Sequence, residues 1–278
     1  MRIPAIRKAL AFVWRDFLNE VSYKSAFVLH VGSLIFSVGI WFFFSAFLQD
    51  NLKEKMDSLT GGNLFAFILF GIAPFSYQQV ALSAFAHRFR EEQVTGTLEA
   101  MLVCPTRTSM VIFASALFDF LFTSLRVVLY ILVGVGFAHF TTRPISLHMA
   151  GLAAALVIFF LMVLTSVGVG IMAAAFVMYF KKGEVLVTLI SSASALFGGV
   201  FFPAGALPRI VQPLSALLPI TYTTDGVRRA LLTGEGIVDL LPQIRVLLIF
   251  AAVLLPLGLY IFRIALRAAR RDGTLVQY

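Results

Sequence analysis

Long uninterrupted runs of apolar residues, separated by short polar stretches, dominate this chain. A helix that crosses a membrane needs about 20 largely apolar residues, and six runs satisfy that length. They are Ala26 to Leu48, Leu64 to Ala86, Met110 to Ala138, Met149 to Phe180, Val185 to Pro203 and Ile244 to Phe262. The pattern predicts an all-α integral membrane fold, with six transmembrane helices in one membrane domain over residues 1–278.

The residues before the first run have a different pattern, in which apolar side chains recur at helical spacing among charged ones. The stripe consists of Ile6, Leu10, Val13, Phe17 and Val21, which would lie on one face of a helix. Amphipathic helices of this kind lie in the plane of the membrane surface. We therefore predict an N-terminal interfacial helix over residues 1–25.

A second amphipathic segment separates the second and third runs, over residues 87–107. Its apolar face holds Val94, Leu98, Met101 and Leu102, and its polar face holds Glu91, Thr95 and Glu99. A helix with these two faces can lie flat on the cytoplasmic membrane surface and receive a push from a soluble partner. We therefore predict a cytoplasmic amphipathic helix in this segment.

Prolines mark a third region, between the fifth and sixth runs. Five of the ten prolines lie there, namely Pro203, Pro208, Pro213, Pro219 and Pro242. The apolar pieces between them are too short to span, and the prolines prevent one long helix. Such backbone must be shielded by protein or line a cavity. We predict short external re-entrant helices over residues 204–243.

Composition and charge agree with a membrane protein. Of the 278 residues, 60% are hydrophobic and 13% are charged, whereas soluble domains carry about 25% charged residues. If both termini are cytoplasmic, 14 Lys and Arg residues lie inside and 7 outside, as the positive-inside rule requires. The basic residues are dispersed at the ends of spans, so they do not predict nucleic-acid binding. Cys104 is the single cysteine, which excludes an intrachain disulfide.

Two motifs in these regions resemble the permeases of type-two ABC exporters, which move drugs, glycolipids and polysaccharides out of cells. The pattern E-R-x-x-G-T-L-E-x-x-L-x-x-P is matched by Glu92, Gly96, Thr97, Leu98, Glu99, Leu102 and Pro105, with Gln93 in place of the arginine. The pattern G-x-x-F-P, then L-P, then P-x-x-Y-x-x-D-x-x-R is matched by Gly199, Phe202, Pro203, Leu207, Pro208, Pro219, Tyr222, Asp225 and Arg228.

The resemblance implies the membrane subunit of an ATP-driven exporter with a lipidic, amphipathic or glycan substrate. Two permease copies, expected as a homodimer, would work with two copies of a separate ABC ATPase. The segment 87–107 would be the coupling helix, which contacts the ATPase through Glu91 and the residues of the first motif. The chain has no P-loop and no catalytic or metal-ligating cluster, so ATP and Mg²⁺ are expected on the ATPase and no cofactor on this chain. The expected location is a bacterial-type inner membrane, with both termini cytoplasmic.

Two ionisable residues, Asp119 and Arg126, lie in the third run. Seven positions separate them, which places them on one helix face about 10 Å apart along the axis. Intramembrane charges usually face a bundle interior or an aqueous cavity. They are candidates for the translocation path or an inter-subunit pair; alternatively, Asp119 lies at the interface and Arg126 bonds a backbone carbonyl. The alternative function is an ion-coupled secondary transporter that uses these residues and His30, although no internal repeat indicates one.

Overall fold

The computed structural model describes residues 11, 13–15, 17–18, 22, 24–51, 63–94, 108–139, 145, 147–180 and 184–271. Within these ranges the structure is helical and contains no strand. The helices are α1 (Lys24–Asn51), α2 (Leu64–Val94), α3 (Thr108–His139), α4 (Leu152–Phe180), α5 (Glu184–Phe197), α6 (Gln212–Ala216), α7 (Pro219–Arg228) and α8 (Leu241–Arg271). Short 3-10 turns lie at Met149–Gly151 and Ala204–Ala206, and a π-helical turn at Arg229–Thr233.

Five of the described helices are long and apolar enough to cross a membrane. Their candidate spans are Val28–Leu48, Leu64–Ala84, Leu117–His139, Met149–Phe176 and Leu241–Ala268. The prediction of an all-α membrane fold is confirmed. The largest extensions beyond the predicted apolar runs are at the C-terminal ends of α2, which continues to Val94, and of α8, which continues to Arg271. A helix stops where its backbone bonding stops, and polar residues can extend it past the hydrocarbon region.

The fifth predicted span is shorter in the structure than the apolar run suggested. The α5 helix has 14 residues, which gives a length of about 21 Å, whereas the hydrocarbon core is about 30 Å thick. Gly198 and Gly199 follow it, and Gly199 has φ of 72°, a left-handed conformation that glycine adopts without strain. The helix predicted to continue to Pro203 therefore ends at Phe197.

The central helix of the bundle is α2, which contacts α1, α3, α4, α5 and α7. Its side chains from Leu64 to Phe70 are all buried. The helix α4 packs against α2 and also along α8. The contact with α8 is close, since a Cβ on Gly168 of α4 would lie 2.7 Å from the Leu254 carbonyl carbon. Small residues allow this close approach of two membrane helices. The bundle is thus built around the α2–α4–α8 layer.

The two non-spanning segments predicted from the sequence are described to different extents. In the predicted interfacial helix, residues 11, 13–15, 17–18 and 22 are helical, with Trp14 and Phe17 exposed; the rest of 1–25 lies outside the described residues. The predicted re-entrant segment 204–243 consists of α6, α7, short turns and the first residues of α8. Short broken helices are therefore found where the prolines predicted them.

Candidate functional site

The first motif begins in the last turn of α2. Glu91 and Glu92 belong to that turn, and α2 ends at Val94. The other matched positions, Gly96, Thr97, Leu98, Glu99, Leu102 and Pro105, lie outside the described residues. The predicted coupling region 87–107 therefore starts as a direct continuation of the central helix of the bundle.

The second motif occupies the turn after α5 and the helix α7. Phe202, Pro203 and Pro208 lie in irregular or 3-10 structure before α6, and Pro219 begins α7, a position where its missing N–H is harmless. Three more motif residues follow at intervals of three along α7. The Tyr222 hydroxyl donates to the Ala216 carbonyl at 3.1 Å, which ties α7 to α6.

Asp225 lies on the next turn of α7 and joins that helix to α8. Its carboxylate accepts a hydrogen bond from Nε2 of Gln243 at 2.9 Å. The same carboxylate lies 3.8 Å from Nη1 of Arg229, an exposed ion pair one turn along. Asp225 is itself exposed, so it links the start of α8 to α7 from the surface of the bundle.

Arg228 is the last motif residue and is buried, with 7% of its surface exposed. Its Nε donates to the Phe67 carbonyl at 2.9 Å, Nη1 to the Gly199 carbonyl at 2.6 Å and Nη2 to the Val200 carbonyl at 2.6 Å. The guanidinium carbon lies 3.4 Å from the centre of the Phe67 ring. We call Arg228 with these three carbonyls the Arg228 clasp.

The clasp explains why α5 can end inside the protein. Buried backbone carbonyls outside a helix need partners, and a cation near the C-terminus of a helix also stabilises the helix dipole. Thr224 and Arg228 bond the carbonyls of the turn that follows α5, with Thr224 Oγ1 donating to the Gly198 carbonyl at 3.1 Å. Gly71 makes room, since a Cβ there would collide with the Arg228 guanidinium and the Val200 carbonyl. The clasp therefore fastens α7 to both α2 and α5.

Arg229, the next residue, has a contrasting environment. It is partly exposed and forms an ion pair with Glu235, with Nη2 and Oε2 separated by 2.6 Å. The hydrogen bond that Arg229 donates to Glu235 raises the pKa of Arg229 above its ordinary value. The chain reverses just before Glu235 at Gly234, whose φ is 76°. This pair closes the loop between the π-helical turn and α8.

A cleft forms the second part of the candidate site, between α1, α2, α3 and the turn after α5. Its volume is about 350 Å³. The α2 wall consists of Ile72, Phe75, Ser76, Gln79 and Val80, whose spacing places them on one helical face. The other walls are formed by Trp41, Thr123, Arg126 and Phe201. We call this the Arg126 cleft.

Arg126 is the charged residue of the cleft lining, which also includes the polar side chains of Ser76, Gln79 and Thr123. Its guanidinium carbon lies 5.3 Å from the centre of the Phe122 ring, within cation–π distance. Among the described residues, no backbone carbonyl accepts a hydrogen bond from it. Asp119 lies two turns earlier on α3 and does not line the cleft. The structure therefore places the two predicted path residues in different surroundings.

Sequence reasoning identified Arg126 and Arg228 but missed most of their surroundings. Ser76 and Gln79, polar residues at helical spacing within an apolar run, were the available signal for the α2 wall. Phe67 and Gly71 carry no such signal, because their role depends on a residue more than 150 positions away. Likewise, Trp41 lines the cleft and stacks on Phe201, a residue distant in the sequence, with ring centres 4.8 Å apart.

These features define a multi-pass, all-α integral membrane protein with a buried polar clasp and an intramembrane charge. A family model described as "ABC-2 type transporter" matches residues 7–232. The chain belongs to this family, and it is the membrane component of an ABC transporter. The resemblance inferred from the two motifs is confirmed.

One curated relative is the linearmycin resistance permease protein LnrN of Bacillus subtilis (strain 168). It is 30% identical over 111 residues, which cover 40% of this chain and 29% of that protein. The aligned region thus spans less than a third of the length of that relative. The name describes a resistance permease, and that description applies to LnrN.

Proposed function

We propose that this chain forms half of the translocation path of an ATP-driven exporter in a bacterial-type inner membrane. Two copies of the chain, as a homodimer, would work with two copies of a separate ABC ATPase that binds ATP and Mg²⁺. The substrate would be lipidic, amphipathic or a glycan. Membership of the ABC-2 transporter family over residues 7–232 carries this proposal and does not favour the ion-coupled alternative.

The course of α2 supports a mechanism for the coupling. This single helix begins beside the Arg228 clasp at Phe67, forms the wall of the Arg126 cleft from Ile72 to Val80, and ends beside Glu92. A helix transmits a push along its axis because its backbone bonds keep its length fixed. ATP-driven movement of the segment around Glu92 and Glu99 would therefore shift the cleft wall and the clasp together.

The coupling contact can be tested by reversing charges in the first motif. We expect Glu92→Lys or Glu99→Lys to abolish copurification with the ATPase, or to leave its ATP hydrolysis unaffected by substrate, while the permease still inserts. The matched control is Gln93→Arg, which restores the family pattern and should preserve binding. Unchanged binding and coupled hydrolysis in both reversals would show that the interface lies elsewhere.

The assignment of the path can be tested by reconstitution of the permease with and without the ATPase. Asp119→Asn removes a charge at nearly constant shape. If Asp119 lies on the path, this variant should assemble with the ATPase but lose the substrate-stimulated turnover of ATP. A residue that supports only the fold would instead reduce expression or dimer yield. Transport by the permease alone, driven by a proton or sodium gradient, would contradict the exporter assignment.

The predicted orientation has a direct test that uses the single native cysteine. Ile210 lies between Pro208 and α6 and is 91% exposed. In a Cys104→Ser background, Ile210→Cys should react with a membrane-impermeant maleimide in intact cells. Native Cys104, predicted to be cytoplasmic, should react only after permeabilisation. The reverse labelling pattern would invert the topology.

A further inference from the structure

The Arg126 cleft lies near the middle of a candidate membrane span. Arg126 is nine residues beyond the start of Leu117–His139, which places it about 14 Å along a helix about 34 Å long. The guanidinium group is a cation with five N–H donors in a fixed geometry. A permanent charge at this depth is costly unless it faces a cavity or a partner, and here it faces the cleft.

The cation of the cleft lining, Arg126, favours an anion over a neutral ligand. Two hydroxyl groups already donate within their own helices, Ser76 to the Ile72 carbonyl at 2.9 Å and Thr123 to the Asp119 carbonyl at 2.7 Å. Arg126 and Gln79 add N–H donors to the lining. A guanidinium binds a carboxylate or phosphate through two parallel hydrogen bonds, which is its strongest pairing.

The remaining walls suit an apolar group attached to that anion. Trp41, stacked on Phe201, forms a flat apolar surface together with Phe75 and Val80. A volume of about 350 Å³ lies at the lower end of the range for small-molecule sites. The cleft thus has room for one head group and the start of a chain.

We propose that the Arg126 cleft binds an anionic amphipathic molecule, with its carboxylate or phosphate on Arg126 and its chain against Trp41 and Phe201. The molecule is either an anionic membrane lipid or a single-chain amphiphile that the transporter carries. The second source rests on the proposed exporter function, whereas binding itself does not. The site narrows the substrate class from amphipathic molecules in general to anionic ones.

The intrinsic fluorescence of Trp41 provides a direct test. The chain has 2 tryptophans, so Trp14→Phe leaves Trp41 alone in the full-length permease, held in nanodiscs of phosphatidylcholine. Bromine quenches tryptophan only at close range. We expect 9,10-dibromostearate to quench Trp41 saturably, and its uncharged monoglyceride ester to bind at least about tenfold more weakly, the loss of one charged hydrogen bond.

The arginine is tested with matched variants in the same background. Arg126→Gln should weaken quenching by dibromostearate about tenfold or more, and Arg126→Lys should weaken it less. The control is Arg245→Gln, which removes an exposed arginine from α8, a helix that contributes nothing to the cleft. Equal quenching by acid and ester, or equal losses in Arg126→Gln and Arg245→Gln, would overturn the proposal. The comparison of acid and ester needs no variant, so it stands even if Arg126→Gln fails to fold.

A competition experiment separates the two sources of the ligand. If the cleft holds a lipid, phosphatidylglycerol added to the nanodisc should displace dibromostearate; if it holds cargo, dodecyl phosphate should compete and phosphatidylglycerol should not. Competition by neither would contradict an anion site. The ATPase is absent from these measurements, so their failure would leave the exporter proposal intact. Loss of ATPase copurification would likewise leave the binding result intact.

Discussion

Arg126 and Arg228 are the same residue type in the same membrane protein, yet the fold treats them in opposite ways. Arg228 is buried, donates to three backbone carbonyls and lies on the ring of Phe67. Arg126 is exposed at the edge of a cleft and lies over Phe122. One arginine has its partners built into the chain, and the other faces space in which a ligand can bind.

This contrast gives a criterion for separating structural charges in a membrane protein from functional ones. A buried charge persists when every donor finds an acceptor of the protein itself, and it then stabilises one arrangement of the helices. A charge that faces a cleft contributes little to the fold, because the chain supplies few contacts to lose. Removing Arg228 should therefore lower the stability of the protein, whereas removing Arg126 should change ligand binding.

The largest effect on stability is expected for Arg228→Gln. The glutamine amide cannot serve all three carbonyls, and each charged hydrogen bond contributes about 1.5–3 kcal/mol. We expect a loss of at least about 3 kcal/mol, seen as a reduced fraction of monodisperse protein on size exclusion and a lower thermal midpoint. A variant with wild-type yield and midpoint would show that the clasp is dispensable.

A smaller loss is expected when the space beside the clasp is filled. A Cβ at Gly71 would collide with the guanidinium of Arg228 and the carbonyl of Val200, and overpacking of this kind costs about 1–3 kcal/mol. Gly39→Ala is the matched control, because nothing lies within 4 Å of a Cβ there. Thermal midpoints of the two alanine variants should differ clearly. Equal midpoints would mean that α2 and the turn after α5 can move apart freely.

Arg229→Gln should have a modest effect, although it alters the residue next to the clasp. The ion pair of Arg229 with Glu235 is short, at 2.6 Å, but both side chains are partly exposed, and such pairs contribute about 0–1 kcal/mol. Thermal unfolding at low and high salt should show a small difference that salt reduces. A loss as large as that of Arg228→Gln would remove the distinction between the buried and the exposed arginine.

Arg126→Gln should have the smallest effect on stability, within about 0.5 kcal/mol of wild type. The variant loses one cation–π contact and no hydrogen bond to the described backbone. Its effect should appear in amphiphile binding instead, as a large loss at an unchanged thermal midpoint. If the midpoint falls together with that of Arg228→Gln, Arg126 is a second structural arginine.

The spans could be read from the sequence because hydrophobicity is a property of each segment by itself. A run such as Leu64 to Ala86 must be helical in a membrane, since every backbone group needs an internal partner. The end of α5 could not be read in the same way. The run from Val185 to Pro203 is apolar throughout. The helix can nevertheless stop at Phe197, because Thr224 and Arg228 donate hydrogen bonds to the carbonyls that follow it.

The membrane class, the positions of the long helices, the broken segment marked by its prolines and the family suggested by the two motifs could all be inferred from the sequence. Each of these depends on neighbouring residues, which the chain order preserves. Which arginine is enclosed and which faces a cleft depends on the packing of the helices, because the partners of each arginine come from distant helices. Phe67 meets Arg228, and Trp41 joins Arg126 at the cleft, only after α1, α2, α3 and α7 have packed together.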